Sequence, residues 1–127
     1  MYLLHLPLTL TLPNKKSWAL NLNLYRNTHY RSLNAYKRLF SLEVEPILKD
    51  LPVFNKITLT YRLYPKTRRE MDIANVLTVV DKFFSDALVE FGKLPDDNYK
   101  HLKEISFSYG EVLPSNPHAL VLINPLK

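Results

Sequence analysis

Cysteine is absent from the 127 residues, and glycine occurs only twice, as Gly92 and Gly110. Without cysteine there are no disulfides, thiolate zinc sites, iron–sulfur clusters or cysteine nucleophiles. Two isolated glycines cannot form the loops that cradle nucleotide phosphates, so no nucleotide cofactor is expected. No apolar run reaches the length of about eighteen residues that a transmembrane helix needs, and no membrane partner is expected. The opening MYLLHLPLTLTLP has neither the basic start nor the small-residue cleavage site of a signal peptide, which makes the cytoplasm the expected location. His5, His29, His101 and His118 show no metal-ligand spacing, and no serine-centred nucleophile motif is present.

What is present is the balance of a globular chain, 46% hydrophobic and 23% charged. That is enough to bury one core, so residues 1–127 are expected to form a single domain. Seventeen Lys and Arg stand against twelve Asp and Glu, a formal charge of +5 that favours polyanionic partners.

Leu4, Leu6, Leu8, Leu10 and Leu12 alternate with polar residues and predict a half-buried first strand, with Pro7 marking an edge. Asn14 to His29 reads as an irregular polar loop. Apolar residues at three- and four-residue steps predict a helix over about Tyr30–Asp50, kinked or opened by Pro46. Lys56–Tyr64 alternates as a strand. Asp72 opens a second helix over about Ile73–Phe91, with Gly92 as its stop. His101–Tyr109 and Ala119–Ile123 complete the strands. The order predicts an α/β (α+β) domain: one mixed or antiparallel sheet of about four strands packed with two helices.

The second helix carries the chemistry. Ile73, Val76, Leu77, Val80, Phe83, Phe84, Ala87, Leu88 and Phe91 form an apolar arc about 140° wide at 100° per residue. Asp72, Asn75, Val79, Lys82, Asp86 and Glu90 form a stripe about 80° wide opposite it. Such a stripe is commonly a solvated face, with Lys82 and Asp86 as an i,i+4 ion pair. Asp72 has an ordinary reading as a helix cap, and Asp96 with Asp97 as a turn. Read for function, Glu70, Asp72, Asp96 and Asp97 offer hard oxygen ligands suited to Mg²⁺. Lys66, Arg68, Arg69, Lys93, Lys100 and Lys103 surround them. Carboxylates inside a basic surround suit a metal-dependent nuclease, with the cations holding the phosphate backbone. Trp18, Tyr25, Tyr30 and Tyr36 interleave with Lys15, Lys16, Arg26 and Arg31, an arrangement able to stack on unpaired bases or to pack the first helix.

The segment TRREMDIANVLTVVDKFFSDALVEFGKLPDDNYK resembles the signature of the RusA-type crossover junction endodeoxyribonucleases. That signature is a basic run, Asp-x-Asp-Asn, a helical Lys-x-x-x-Asp-x-Leu, and Asp-Asp after a short loop. Lys82-x-x-x-Asp86-Ala87-Leu88 fits it, as does the interval from Asp86 to Asp97. NLNLYRNTHYRSLNAYK is similar to the family's Asn/Arg-rich substrate-side loop and first helix. Two departures stand out. Ala74 replaces the second carboxylate of Asp72-Ile73-Ala74-Asn75, unless Glu70-Met71-Asp72 is the Asp-x-Asp, and the stretch to Lys82 is longer by about one helical turn.

The resemblance implies a homodimeric, Mg²⁺-dependent endonuclease, with Mn²⁺ as a substitute, acting on four-way and other branched DNA in recombination or repair. A bacterial, phage or prophage origin goes with it. By the same resemblance Asp72, Asp97, Asp96 and Glu70 hold one or two ions, and activated water attacks phosphorus to leave a 5′-phosphate. Lys82 steadies the developing charge. Lys66, Arg68, Arg69, Asn75, Arg26, Lys15 and Lys16 hold DNA. The width of the apolar arc and the two-fold symmetry of junction cleavage both argue for the dimer. The alternative is a non-catalytic, basic junction-binding protein with an incomplete metal site, to which Ala74 points.

Overall fold

A computed structural model describes residues 1–127. Its elements, in chain order, are β1 (Tyr2–Leu6), β2 (Thr9–Thr11), β3 (Ser17–Ala19), α1 (Leu22–Asn27), α2 (Tyr30–Leu48), β4 (Ile57–Tyr64), α3 (Ile73–Glu90), β5 (Leu102–Tyr109) and β6 (His118–Pro125). The main sheet has the order β1-β6-β4-β5. β1 and β4 run antiparallel to β6, whereas β4 and β5 are parallel neighbours joined through α3. The expected α+β domain with a mixed four-stranded sheet is therefore what forms.

The first strand is not continuous. Pro7 interrupts it, because a proline has no N–H to give a ladder. The second half becomes β2, which turns away to pair with β3 as a hairpin. The stretch expected to be irregular thus holds β3 and α1. Asparagine makes its local bonds as the composition suggests. Asn14 Oδ1 accepts from the Lys16 amide at 3.0 Å, and Asn21 Oδ1 caps α1 by accepting from the Leu24 amide at 2.9 Å. Lys15, at the hairpin tip, takes a positive φ of 67°.

Pro46 neither breaks nor opens α2, which runs through it to Leu48. The carbonyl that Pro46 leaves without an N–H partner belongs to Leu42, which is exposed, so water can satisfy it. Gly92 closes α3 at a φ of 71°, its amide donating to the Val89 carbonyl at 3.0 Å.

Period-two alternation buries Ile57, Leu59, Tyr61 and Leu63 of β4 with Ala119, Val121 and Ile123 of β6 on one face. α2 contributes Phe40, Val44 and Leu48 to that core, and α3 contributes Leu77, Val80, Phe84 and Leu88. The phenylalanines of α3 find their partners inside the chain. Phe83 stacks on Trp18 with centroids 5.8 Å apart and meets Phe40 edge-on at 5.7 Å. Phe84 meets Tyr61 edge-on at 6.4 Å, and Phe91 packs against the core. The width of this arc accordingly gives no argument for a dimer. Val79, expected on the polar stripe, is fully buried, because α1 and α2 wrap farther around α3 than a sheet alone would.

Candidate active site

Asp72 stands at the N-terminus of α3, where its Oδ1 accepts the Ala74 amide at 3.0 Å. This is helix capping, and it occupies one oxygen of the carboxylate. Glu70, Asp72, Arg69 and Asn75 share a cleft with Asn21, the cap of α1, and Asn23 in its first turn. Lys66, Arg68 and Arg69 lie exposed on the loop before α3 and form no ion pair.

Asp97 lies elsewhere. It borders a second pocket, of about 310 Å³, with Tyr25, Lys37, Asp81, Lys82, Ser85, Asp86 and the β5 residues Leu102 and Ile105. Nine residues of helix separate Asp72 from Asp81, about 14 Å along the axis. Asp72 and Asp97 therefore cannot share an ion, since Mg²⁺ holds its ligands at about 2.1 Å and paired ions lie only about 4 Å apart. The expected ligand set of Asp72, Asp97, Asp96 and Glu70 is split between two places. Asp96 is also engaged: its Oδ1 accepts the Asp97 amide at 2.8 Å and its Oδ2 accepts Asn98 Nδ2 at 2.9 Å. That is the turn chemistry of its local sequence.

Asp81, Asp86 and Asp97 all line the second pocket. Asp81, at the pocket wall, accepts a hydrogen bond on Oδ1 from the Tyr61 hydroxyl at 2.7 Å and another from Ser85 Oγ at 3.1 Å. Burial raises its pKa above the usual carboxylate value. The two hydroxyl bonds and Lys82 pull it down, and the charge of Asp97 pushes it up. Asp97 is raised too, first by desolvation, then by its neighbour Asp96 and by the charge of Asp86. Burial, reinforced by Asp81, drives the Tyr61 hydroxyl well above its ordinary value, so Tyr61 remains a neutral donor.

Cations border the same pocket. The i,i+4 pair of Lys82 with Asp86 does not form. Asp86 pairs instead with Lys37 of α2 at 3.2 Å, while Lys82 lies over the Tyr25 ring, 5.9 Å from its centroid. Arg38 and Glu90 make a second α2–α3 ion pair, so much of the polar stripe faces a neighbouring helix rather than bulk water. Lys93 is withdrawn from the basic surround, because its Nζ donates to the Leu51 carbonyl at 2.7 Å and the Lys49 carbonyl at 3.3 Å.

Among the remaining predicted contacts, Arg26 is exposed in the last turn of α1, and Lys15 and Lys16 are exposed at the hairpin tip. Trp18 and Tyr36 pack together at 5.1 Å in the interior, whereas Tyr30 stays exposed beside His29 and Arg31. His101 and His118 each bond a backbone carbonyl through Nδ1, at 2.8 Å.

Asp81, Ser85 and Lys37 line the pocket and Tyr61 bonds Asp81 from behind it, yet the helical-arc reading passes over them. A signal for Asp81 was present. It sits in VVDKFFSDAL, between Val80 and Phe83, where a lone carboxylate needs a partner. Tyr61 gave another, as a tyrosine at an inward strand position whose hydroxyl must be satisfied.

The oxygen donors of Asp81 and Asp97 suit Mg²⁺, which takes one or two carboxylates and completes its shell with water and phosphate oxygens. A closed protein cage is absent, since no three His, Asp or Glu groups lie close enough to hold an ion together. No protein-family model matches the chain, and no curated protein matches it.

Proposed function

We propose that the protein is a Mg²⁺-dependent endonuclease acting on branched DNA, four-way junctions in particular, with its reaction centre in the pocket of Asp81, Lys82, Asp86 and Asp97. One observation carries this reading. Asp81 and Asp97 line one pocket with Lys82 and Asp86, and both carboxyl pKa values are raised by burial and by neighbouring carboxylates, a charge arrangement that a bound divalent cation would relieve. Asp81 and Asp97 would hold Mg²⁺ or Mn²⁺. When bound, the ion supplies positive charge for the attacking water and the leaving phosphodiester oxygen.

The chain's own groups do the rest. Lys82, held over Tyr25 at the pocket mouth, steadies charge developing on the phosphate. Lys37 holds Asp86 in place and adds a second positive charge to the pocket lining from α2. Arg69 and Asn75, with Lys66 and Arg68 on the loop before α3, grip phosphates flanking the cut. Glu70 and Asp72 sit among these contacts, with Asp72 as the helix cap. The resemblance to the RusA-type endonucleases agrees with Lys82, Asp86 and Asp97 meeting in one pocket. Symmetrical cutting of a junction requires two such pockets, hence a homodimer acting in the cytoplasm.

The test is cleavage of a labelled four-way junction beside a linear duplex, in Mg²⁺ and in EDTA, with Asp97→Asn in parallel. The expected result is paired nicks on the junction only, lost in EDTA and in Asp97→Asn. Salt-sensitive junction binding without cleavage in Mg²⁺ or Mn²⁺ would establish the alternative, a binding protein without catalysis.

A further inference from the structure

We infer that Tyr61 and Ser85 are positioning residues for this pocket, which together fix one oxygen of Asp81 and leave the other free for a ligand in the pocket that Asp97 also lines. The inference rests on the nuclease reading above and extends it to two residues that touch neither DNA nor ion. Tyr61 comes from the middle of β4 and is fully buried, with its ring edge-on to Phe84 and to Phe107 at 5.8 Å. Its hydroxyl leaves this apolar packing only to reach Asp81 Oδ1. Ser85, one turn along α3 and also buried, donates to the same oxygen.

Two donors on one oxygen, from a strand and from a helix, fix both the rotamer of the carboxylate and its rotation about the Cβ–Cγ bond. Asp81 Oδ2 makes no hydrogen bond within the chain, and the residue borders the pocket that it shares with Asp97, Lys82 and Asp86. Satisfying a buried tyrosine hydroxyl requires only one acceptor, which a backbone carbonyl or a serine provides at less electrostatic cost than a carboxylate. The second donor and the free oxygen are what a purely structural bond leaves unexplained. Hydrogen-bond partners of a ligating carboxylate orient it, and their removal weakens metal binding by about 10- to 100-fold.

The test is a Mn²⁺ titration of the full chain, followed by the electron-paramagnetic signal of the free ion, for wild type, Tyr61→Phe, Ser85→Ala and Asp81→Asn. Junction affinity without metal, cleavage rate and thermal unfolding are measured on the same samples. Tyr61→Phe keeps the ring and Ser85→Ala keeps the helix, so each is expected to fold. The expected result is Mn²⁺ affinity reduced about tenfold in Tyr61→Phe and in Ser85→Ala, with their metal-free junction affinity unchanged, and Mn²⁺ binding abolished in Asp81→Asn. Wild-type Mn²⁺ affinity and cleavage in both Tyr61→Phe and Ser85→Ala overturn the positioning role and leave the nuclease reading standing. Loss of metal-free junction binding in step with melting temperature also overturns it, by showing a purely structural bond. A wild-type protein that neither binds Mn²⁺ nor cleaves overturns both.

Discussion

The two carboxylate sites along α3 are satisfied in opposite ways. At the N-terminus Asp72 is answered by the backbone, in the place where the helix dipole welcomes negative charge. At mid-helix Asp81 has two hydroxyl donors on one oxygen, while Asp97 brings negative charge toward it that Lys82 only partly offsets. The first carboxylate is exposed, so water completes what the cap bond leaves. The second is electrostatically unfinished, and unfinished charge is where a ligand gains most. Proximity of acidic residues in the sequence therefore does not tell which carboxylates the fold leaves without relief.

The sharpest way to break this contrast is to remove one charge at each place. Asp81→Asn and Asp97→Asn are each expected to lower junction cleavage more than about 100-fold, and Asp72→Asn less than about tenfold. An equal collapse in Asp72→Asn would mean that the two clefts act as one. Next in size is Lys82→Ala, expected to slow cleavage about 10- to 100-fold in single-turnover assays, with a smaller loss of junction affinity.

Stability against pH sharpens the contrast further. Asp81 and Asp97 have folded pKa values raised above their unfolded ones, so their contribution is most favourable below the ordinary carboxylate range. It is lost as pH rises through the raised folded values. Replacing Asp81 by Asn removes that loss while keeping an acceptor for Tyr61. The variant is expected to melt about 3 °C above wild type at neutral pH, a gap that closes on acidification. A melting temperature below wild type at neutral pH would show that Asp81 is not strained. The smallest effect belongs to the cap: Asp72→Ala is expected to cost about 1 kcal/mol in denaturant unfolding, and Asp72→Asn almost nothing.

Much of the fold could be read from local pattern, because burial follows period two in β4 and period 3.6 in α3, and Gly92 marks the end of α3. The hairpin of β2 and β3 was harder to see, since three-residue strands carry too little alternation to register. Pro46 misled for a physical reason: an exposed helix turn can lend its orphan carbonyl to water. In the pocket, Lys82, Asp86 and Asp97 stand at intervals that the sequence displays. Tyr61 and Lys37 are brought there from β4 and α2 by tertiary packing, across separations that no helical arc describes. The two lysine contacts formed after folding, Lys37 with Asp86 and Lys93 with the end of α2, depend on helix–helix placement and leave no local trace.

The place of β5 at the border of the sheet has a topological consequence. A pocket built against Leu102 and Ile105 of this outermost strand lies at the flank of the domain, instead of at the bottom of a well ringed by loops. A polymer without free ends can be laid sideways along such a flank and lifted off again. No end has to be threaded through.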